Sequence, residues 1–151
     1  MKLSEALIER AEIKKKNASL IERIKDNVKV QEGDLPAETL EELLPQYEKN
    51  MERFLFLTHR INETNNKTPF DDKMNIAEII TERDCLGLRI RAYREIHEKA
   101  TVRQDRYNRQ EVKFVRCIDV KELQKQIDIL SKEYREIDTK IQGLNWTVDL
   151  L

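Results

Sequence analysis

Residues 120–144 read VKELQKQIDILSKEYREIDTKIQGL, and their periodicity leaves one architecture open. Val120, Leu123, Ile127, Leu130, Tyr134, Ile137, Ile141 and Leu144 recur at alternating steps of three and four. That rhythm keeps a single apolar stripe on one side of a helix, where a partner helix can cover it. Asp119 followed by Glu122 is a variant capping box that opens the helix, and Gly143 is placed to close it. The tail from Asn145 through Trp146 to Leu150 is expected to be extended and docked.

The same rhythm repeats upstream. A first helix, from about Leu3 to about Lys25, carries the seam Leu3, Ala6, Arg10, Ile13, Asn17, Leu20 and Ile24. A second stripe of Leu7, Ala11, Ala18 and Ile21 widens its apolar face, so it should touch more than one neighbour. A second helix should begin near Pro36, with Asp34 a possible cap. Its seam reads Leu40, Leu44, Tyr47, Met51, Phe54, Thr58 and Ile61. Pro45 predicts a kink or brief interruption there, because proline lacks the donor N–H and crowds the preceding turn. The polar run Asn62–Pro69 should end it. A third helix, from about Asn75 to about Arg103, carries Ile76, Ile79, Arg83, Leu86, Ile90, Tyr93, His97 and Ala100.

Two segments change period. Val28 and Val30 alternate with polar neighbours up to Gly33, and Val112 and Phe114 alternate with charges up to Cys117. Each predicts a short strand. Helices of about 25 residues are about 37 Å long, and short connectors make neighbours antiparallel. Both strand candidates then fall at the end opposite the N-terminus. The expected fold is all-α: an antiparallel four-helix bundle of long, coiled-coil-like helices, with a two-stranded β ribbon at one end. It occupies residues 1–151 as a single domain.

Composition agrees. Of 151 residues, 38% are charged and only three each are Gly and Pro, which suits long helices. Lys plus Arg (28) nearly balances Asp plus Glu (29), which disfavours a dedicated nucleic-acid coat or a polybasic membrane binder. No apolar run approaches the ~20 residues that span a bilayer, so no membrane partner is expected. The N-terminus lacks a signal-peptide apolar core, and Cys85 and Cys117 lie too far apart along the bundle to join. The expectation is two free thiols and a cytoplasmic location.

Polar residues inside the seams are the candidate sites. The topology gathers Arg10, Thr58, Arg83 and Tyr134 in one layer, with Asp84 or Asp138 able to pair the arginines. Such a layer either selects one packing register or binds an anion through the guanidinium forks. Residues 89–116 are rich in Arg and Lys, whereas residues 26–52 are rich in Asp and Glu. Mutual neutralisation is one explanation. Nucleic-acid binding through the basic 103–116 region, with Arg103, Arg106, Tyr107 and Arg109, is the other. His59 and His97 lack a Glu three residues before them, so the Glu-x-x-His element of di-iron bundles is absent and no metal or other cofactor is expected. The carboxylate pairs Glu78/Glu82 and Glu133/Glu136 would suit a Mg-dependent helical nucleotide hydrolase, although so charged a helix produces such pairs by chance.

Several phrases carry a family likeness: Asn27–Gly33 (NVKVQEG), Ile61–Asn65 (INETN), Arg83-Asp84, Arg106–Lys113 (RYNRQEVK), Leu123–Asp128 (LQKQID) and Arg135–Trp146 (REIDTKIQGLNW). With the opening MKLSEALIERAE, the chain resembles a bacterial family of unknown function whose members are sometimes labelled septicolysin. The resemblance implies no catalytic residues. It draws attention to Asn62, Asn65, Arg83 and Trp146 at one end of the bundle, and to Gln31, Arg106 and Arg109 at the other. The function expected is association, most simply as a homo-oligomer, rather than catalysis.

Overall fold

The computed structural model describes residues 1–101 and 113–151. The described residues form four helices: α1 (Leu3–Asn27), α2 (Leu40–Lys67), α3 (Ile76–Thr101) and α4 (Val120–Thr147). They divide into two compact units. One comprises Met1–Ile76 with Gly143–Leu151, and the other Ala77–Gln142.

In the first unit, α1 and α2 form an antiparallel hairpin. Ala6, Ile13 and Leu20 of α1 and Leu43, Leu57 and Ile61 of α2 are buried, each withdrawing apolar surface worth about 1.5–3 kcal/mol for a large side chain. The register is set by polar contacts. Asn17, buried on the α1 seam, accepts a 2.8 Å bond from Asn50 Nδ2 and points its own amide at Met51 Sδ, 3.3 Å away. The buried Asn17 amide is satisfied in only one alignment, so sliding the helices by a turn would orphan it. Arg53 grips Glu9 with two bonds of 2.7 and 2.9 Å, and Arg23 pairs with Glu38 near the hairpin turn.

The α2 seam is rotated from the one expected. Leu43 and Leu57 are inside, whereas Leu40 and Leu44 remain 43% and 41% exposed. Two adjacent apolar stripes run along this helix, and contact with α1 selected the other. The helix starts at Leu40 rather than near Pro36. Thr39 N–H donates to the Glu42 carboxylate at 3.1 Å, a capping arrangement that outcompetes the suggested Asp34 cap. Pro45 lies within the first two turns without interrupting the helix.

Asn62–Lys67, expected as loop, are the last turns of α2. Chain reversal comes after them. Asp71 accepts bonds from the N–H groups of Lys73 and Met74 at 2.8 and 2.9 Å, and Ile76 N–H reaches Thr68 O at 3.0 Å. The two termini meet in the same unit. Leu3 N–H donates to Val148 O and Leu150 N–H to Met1 O, both at 2.9 Å, while Lys2 Nζ sits 2.9 Å from the Asp149 carboxylate. The docked tail is therefore present, but it begins later than expected. Gly143 is helical and α4 continues to Thr147, so Gly143 does not cap it.

In the second unit, α3 and α4 form another antiparallel hairpin. Leu86, Ile90 and Leu130 make a buried cluster with Tyr93, Tyr134 and Ile137 packed against it. Asp119 caps α4 as expected, accepting from the N–H groups of Lys121 and Glu122 at 3.0 and 3.1 Å.

No β ribbon exists among the described residues. Residues 28–31 and 113–117 are irregular; Val112 lies outside the described residues. The alternation failed as a signal because neither segment has an apolar face to bury. Val28 and Val30 are 57% and 48% exposed, and Phe114 and Val115 are 73% and 81% exposed. Cys85 and Cys117 are both free and exposed.

Candidate functional site

Each hairpin carries its own polar features. In the second unit, the Arg83 side chain is only 19% exposed and is held by two carboxylates. Its Nη1 donates to Asp138 across the hairpin at 2.8 Å, while Nη2 and Nε donate to Asp84 at 2.9 and 3.1 Å. Burial pulls the Arg83 pKa down, and the hydrogen bonds and charges of the two carboxylates outweigh it, leaving the pKa raised. A fork already occupied by two anions has little attraction left for a third. The Arg83–Asp138 pair instead fixes how α3 and α4 align. Tyr134 lies beside it in the apolar cluster, with its ring edge 3.4 Å from where a Cβ on Gly87 would sit.

About three turns further along the same hairpin lies a groove of about 330 Å³. Arg94 and His97 of α3 line it, facing Asp128, Ser131 and Arg135 of α4. Arg94 Nη2 reaches Ser131 Oγ at 3.4 Å, and Gln124 donates to Asp128 at 2.9 Å. Neither Arg94 nor Arg135 has a carboxylate partner among the described residues. This pair of cations was not singled out from the sequence. The signal was there in Arg94/His97 and Ser131/Arg135, spaced to share a helix face, but their meeting depends on the antiparallel register of α3 and α4.

The first unit holds the other expected residues. Arg10 is half-buried on α1 and has no polar partner among the described residues, and the Thr58 hydroxyl donates to Phe54 O at 2.8 Å. Arg10 and Thr58 thus belong to one unit, Arg83 and Tyr134 to the other. Asn62 is exposed on α2. Asn65, three residues on, has a buried Oδ1 with no partner, as does Ser4 Oγ. Between them in sequence, fully buried Thr64 links two elements. Its hydroxyl donates to Arg60 O at 2.8 Å and accepts from Leu151 N–H at 3.0 Å. Trp146, in the last turn of α4, is 61% exposed. Arg103, Arg106, Tyr107 and Arg109 lie outside the described residues. No group of three or more His, Cys, Asp or Glu among the described residues could hold a metal ion.

What these observations define is a highly charged all-α protein of two long helical hairpins, with its polar groups spent chiefly on register. The chain belongs to the family of unknown function DUF6847, whose model matches residues 10–150. It is also similar to a solved structure, a functionally unknown conserved protein from Corynebacterium diphtheriae. The two are 40% identical, with a TM-score of 0.94 over 100% of this chain and 99% of that one. No curated protein matches the chain. The likeness to a family of unknown function agrees with the sequence; the septicolysin label is absent from these matches.

Proposed function

We propose that this protein acts by association, with a second copy of itself as its first partner. One observation carries the reading: apolar side chains remain uncovered in heptad-like positions on faces away from the hairpin cores. In α1 and α2 they include Ile21, Leu40, Leu44 and Leu55, between 40% and 58% exposed. In α3, Leu88 and Ile96 are 61% and 50% exposed. Narrow apolar stripes flanked by charge suit a partner helix better than a lipid phase. No described helix is long and apolar enough to cross a membrane, and association rather than lysis fits that pattern. Two exposed free thiols fit a reducing compartment, and we place the protein in the cytoplasm.

Size-exclusion chromatography with light scattering tests the proposal. The expected mass is a multiple of 18.0 kDa at micromolar concentration. A mass of 18.0 kDa throughout a titration to high concentration would refute self-association.

A second reading, nucleic-acid or phosphate binding, draws on the unpaired Arg94 and Arg135 in their groove. It requires affinity that falls steeply with salt. A flat low-salt titration against single- and double-stranded probes would remove it. A Mg-dependent hydrolase remains the third reading, tested by a nucleotide-turnover screen.

A further inference from the structure

We infer that the α1–α2 hairpin pairs face to face with the same hairpin of a second copy, about a two-fold axis parallel to the helices, so that α1 lies over α2 of its partner. The inference rests on the self-association proposed above and specifies its geometry.

The first observation is where the second stripes fall. On α1, Leu7, Ala11, Ala18 and Ile21 sit about a quarter-turn from the buried seam of Ala6, Ile13 and Leu20. On α2, Leu40, Leu44, Met51 and Leu55 sit about a quarter-turn from Leu43, Leu57 and Ile61, in the same rotational sense. The helices are antiparallel, so equal rotations in the same sense bring both stripes to one side of the hairpin. Glu9 and Arg53, rotated the other way, clasp the opposite side. One face is thus closed by ions, and the other is left half-exposed and apolar except for Lys14. Helices of about 25 residues set 8–10 Å apart give that face a footprint of roughly 650 Å², close to the ~800 Å² per partner of a stable dimer.

Charge and size select the partner. Lys14 sits within the α1 stripe, between Ala11 and Ala18, and Lys15 lies on its outer edge, while the outer edge of the α2 stripe carries Glu48 and Glu52. All four are exposed and without an ion-pair partner among the described residues. A two-fold axis across the helices would set α1 against α1 and bring lysines together. An axis along them sets α1 against α2 of the partner and brings Lys14 and Lys15 to Glu48 and Glu52.

Such an axis also preserves level. Each α1 residue then faces the partner's α2 at the height seen within the chain, where Glu9 meets Arg53 and Asn17 meets Asn50. Ala11 comes opposite Met51 and Leu55, Ala18 opposite Leu44, and Ile21 opposite Leu40 and Leu44. The small Ala11 and Ala18 therefore meet large side chains, while Ile21 packs against leucines of similar size.

Disulfide trapping reads this register. Two proteins, Ala18→Cys and Leu44→Cys, are each made with Cys85 and Cys117 replaced by serine. Mild oxidation of an equimolar mixture should yield a cross-linked dimer that neither protein forms alone. A cross-link in either protein by itself, or none in the mixture while light scattering still reports a dimer, would overturn this interface but leave self-association standing. A mixture that is monomeric, like the unmodified chain, would remove both. As a second measurement, Lys14→Glu/Lys15→Glu should weaken dimerisation at least tenfold. Adding Glu48→Lys/Glu52→Lys should restore it, and no restoration counts against the pairing.

Discussion

Removing Asp138 should expose what the Arg83 pair contributes. Breaking a fully buried pair by deleting one partner costs about 3–5 kcal/mol, whereas exposed pairs are worth about 0.2–1 kcal/mol. Arg83 is 19% exposed and Asp138 34%, so the pair lies between these limits. Asp84, 62% exposed, stays in place and keeps part of the guanidinium satisfied. The expected loss for Asp138→Ala is therefore about 1.5–2 kcal/mol, or roughly 4–7 °C in Tm for a chain of this size. Arg83→Met should cost less, about 0.5–1 kcal/mol, because an apolar chain of similar reach replaces the buried stem and the carboxylates left behind can hydrate. Arg83→Met combined with Asp138→Ala should be no worse than Asp138→Ala alone, since the orphaned charge has gone. Urea denaturation followed by circular dichroism gives all three values. A cost below about 0.5 kcal/mol for Asp138→Ala, or a larger cost for Arg83→Met than for Asp138→Ala, would refute the claim that the pair orders the hairpin.

Three further outcomes follow from other contacts. Gly143→Ala should raise stability by about 0.5–1 kcal/mol, because Gly143 is inside α4 with open space around its Cβ position; Gly33→Ala should lower it by about 1 kcal/mol, because Gly33 has φ +92°. Thr64→Val should cost about 1–2 kcal/mol and speed exchange of the Leu151 amide, while Thr64→Ser retains the hydroxyl and most of the stability. Arg53 holds the Glu9 carboxyl below its ordinary pKa through a hydrogen bond, and Lys67 and Lys2 do the same for Glu63 and Asp149. Their folded pKa values lie below the unfolded ones, so their stabilisation is complete above about pH 4.5 and is lost as the pH falls through the depressed values. A plot of Tm against pH should be flat above pH ~5 and fall below it, with a shallower acid limb in Glu9→Gln.

The helical class was legible in the sequence because heptad spacing is a local property: Ile127, Leu130 and Ile141 had to share a side of any helix built from those residues. The α1 seam was legible for the same reason, including Asn17 as its buried interruption. The capping role of Asp119 was legible from the side-chain chemistry of four consecutive positions. A free state for both thiols also matched what helix length implied.

Tertiary structure decided the rest. Along α2, Leu40 and Leu43 belong to two stripes of comparable apolarity, and only the approach of α1 chose between them. Alternation at Val28–Val30 and at Phe114 resembled strands, yet a strand is stabilised by a paired neighbour and a buried face, and neither is present among the described residues. The sequence favoured a register pair for Arg83, with Asp84 or Asp138 as its partner, over an anion site, and the antiparallel placement of α4 sets Asp138 at its fork beside Asp84. The periodicity of the four helices and the capping chemistry of α4 depend on neighbours within a few residues, and local spacing was enough to set them. Which stripe is buried, which charges are paired across a hairpin and which apolar side chains stay exposed depend on residues far apart in the chain, and only the packed hairpins decide them.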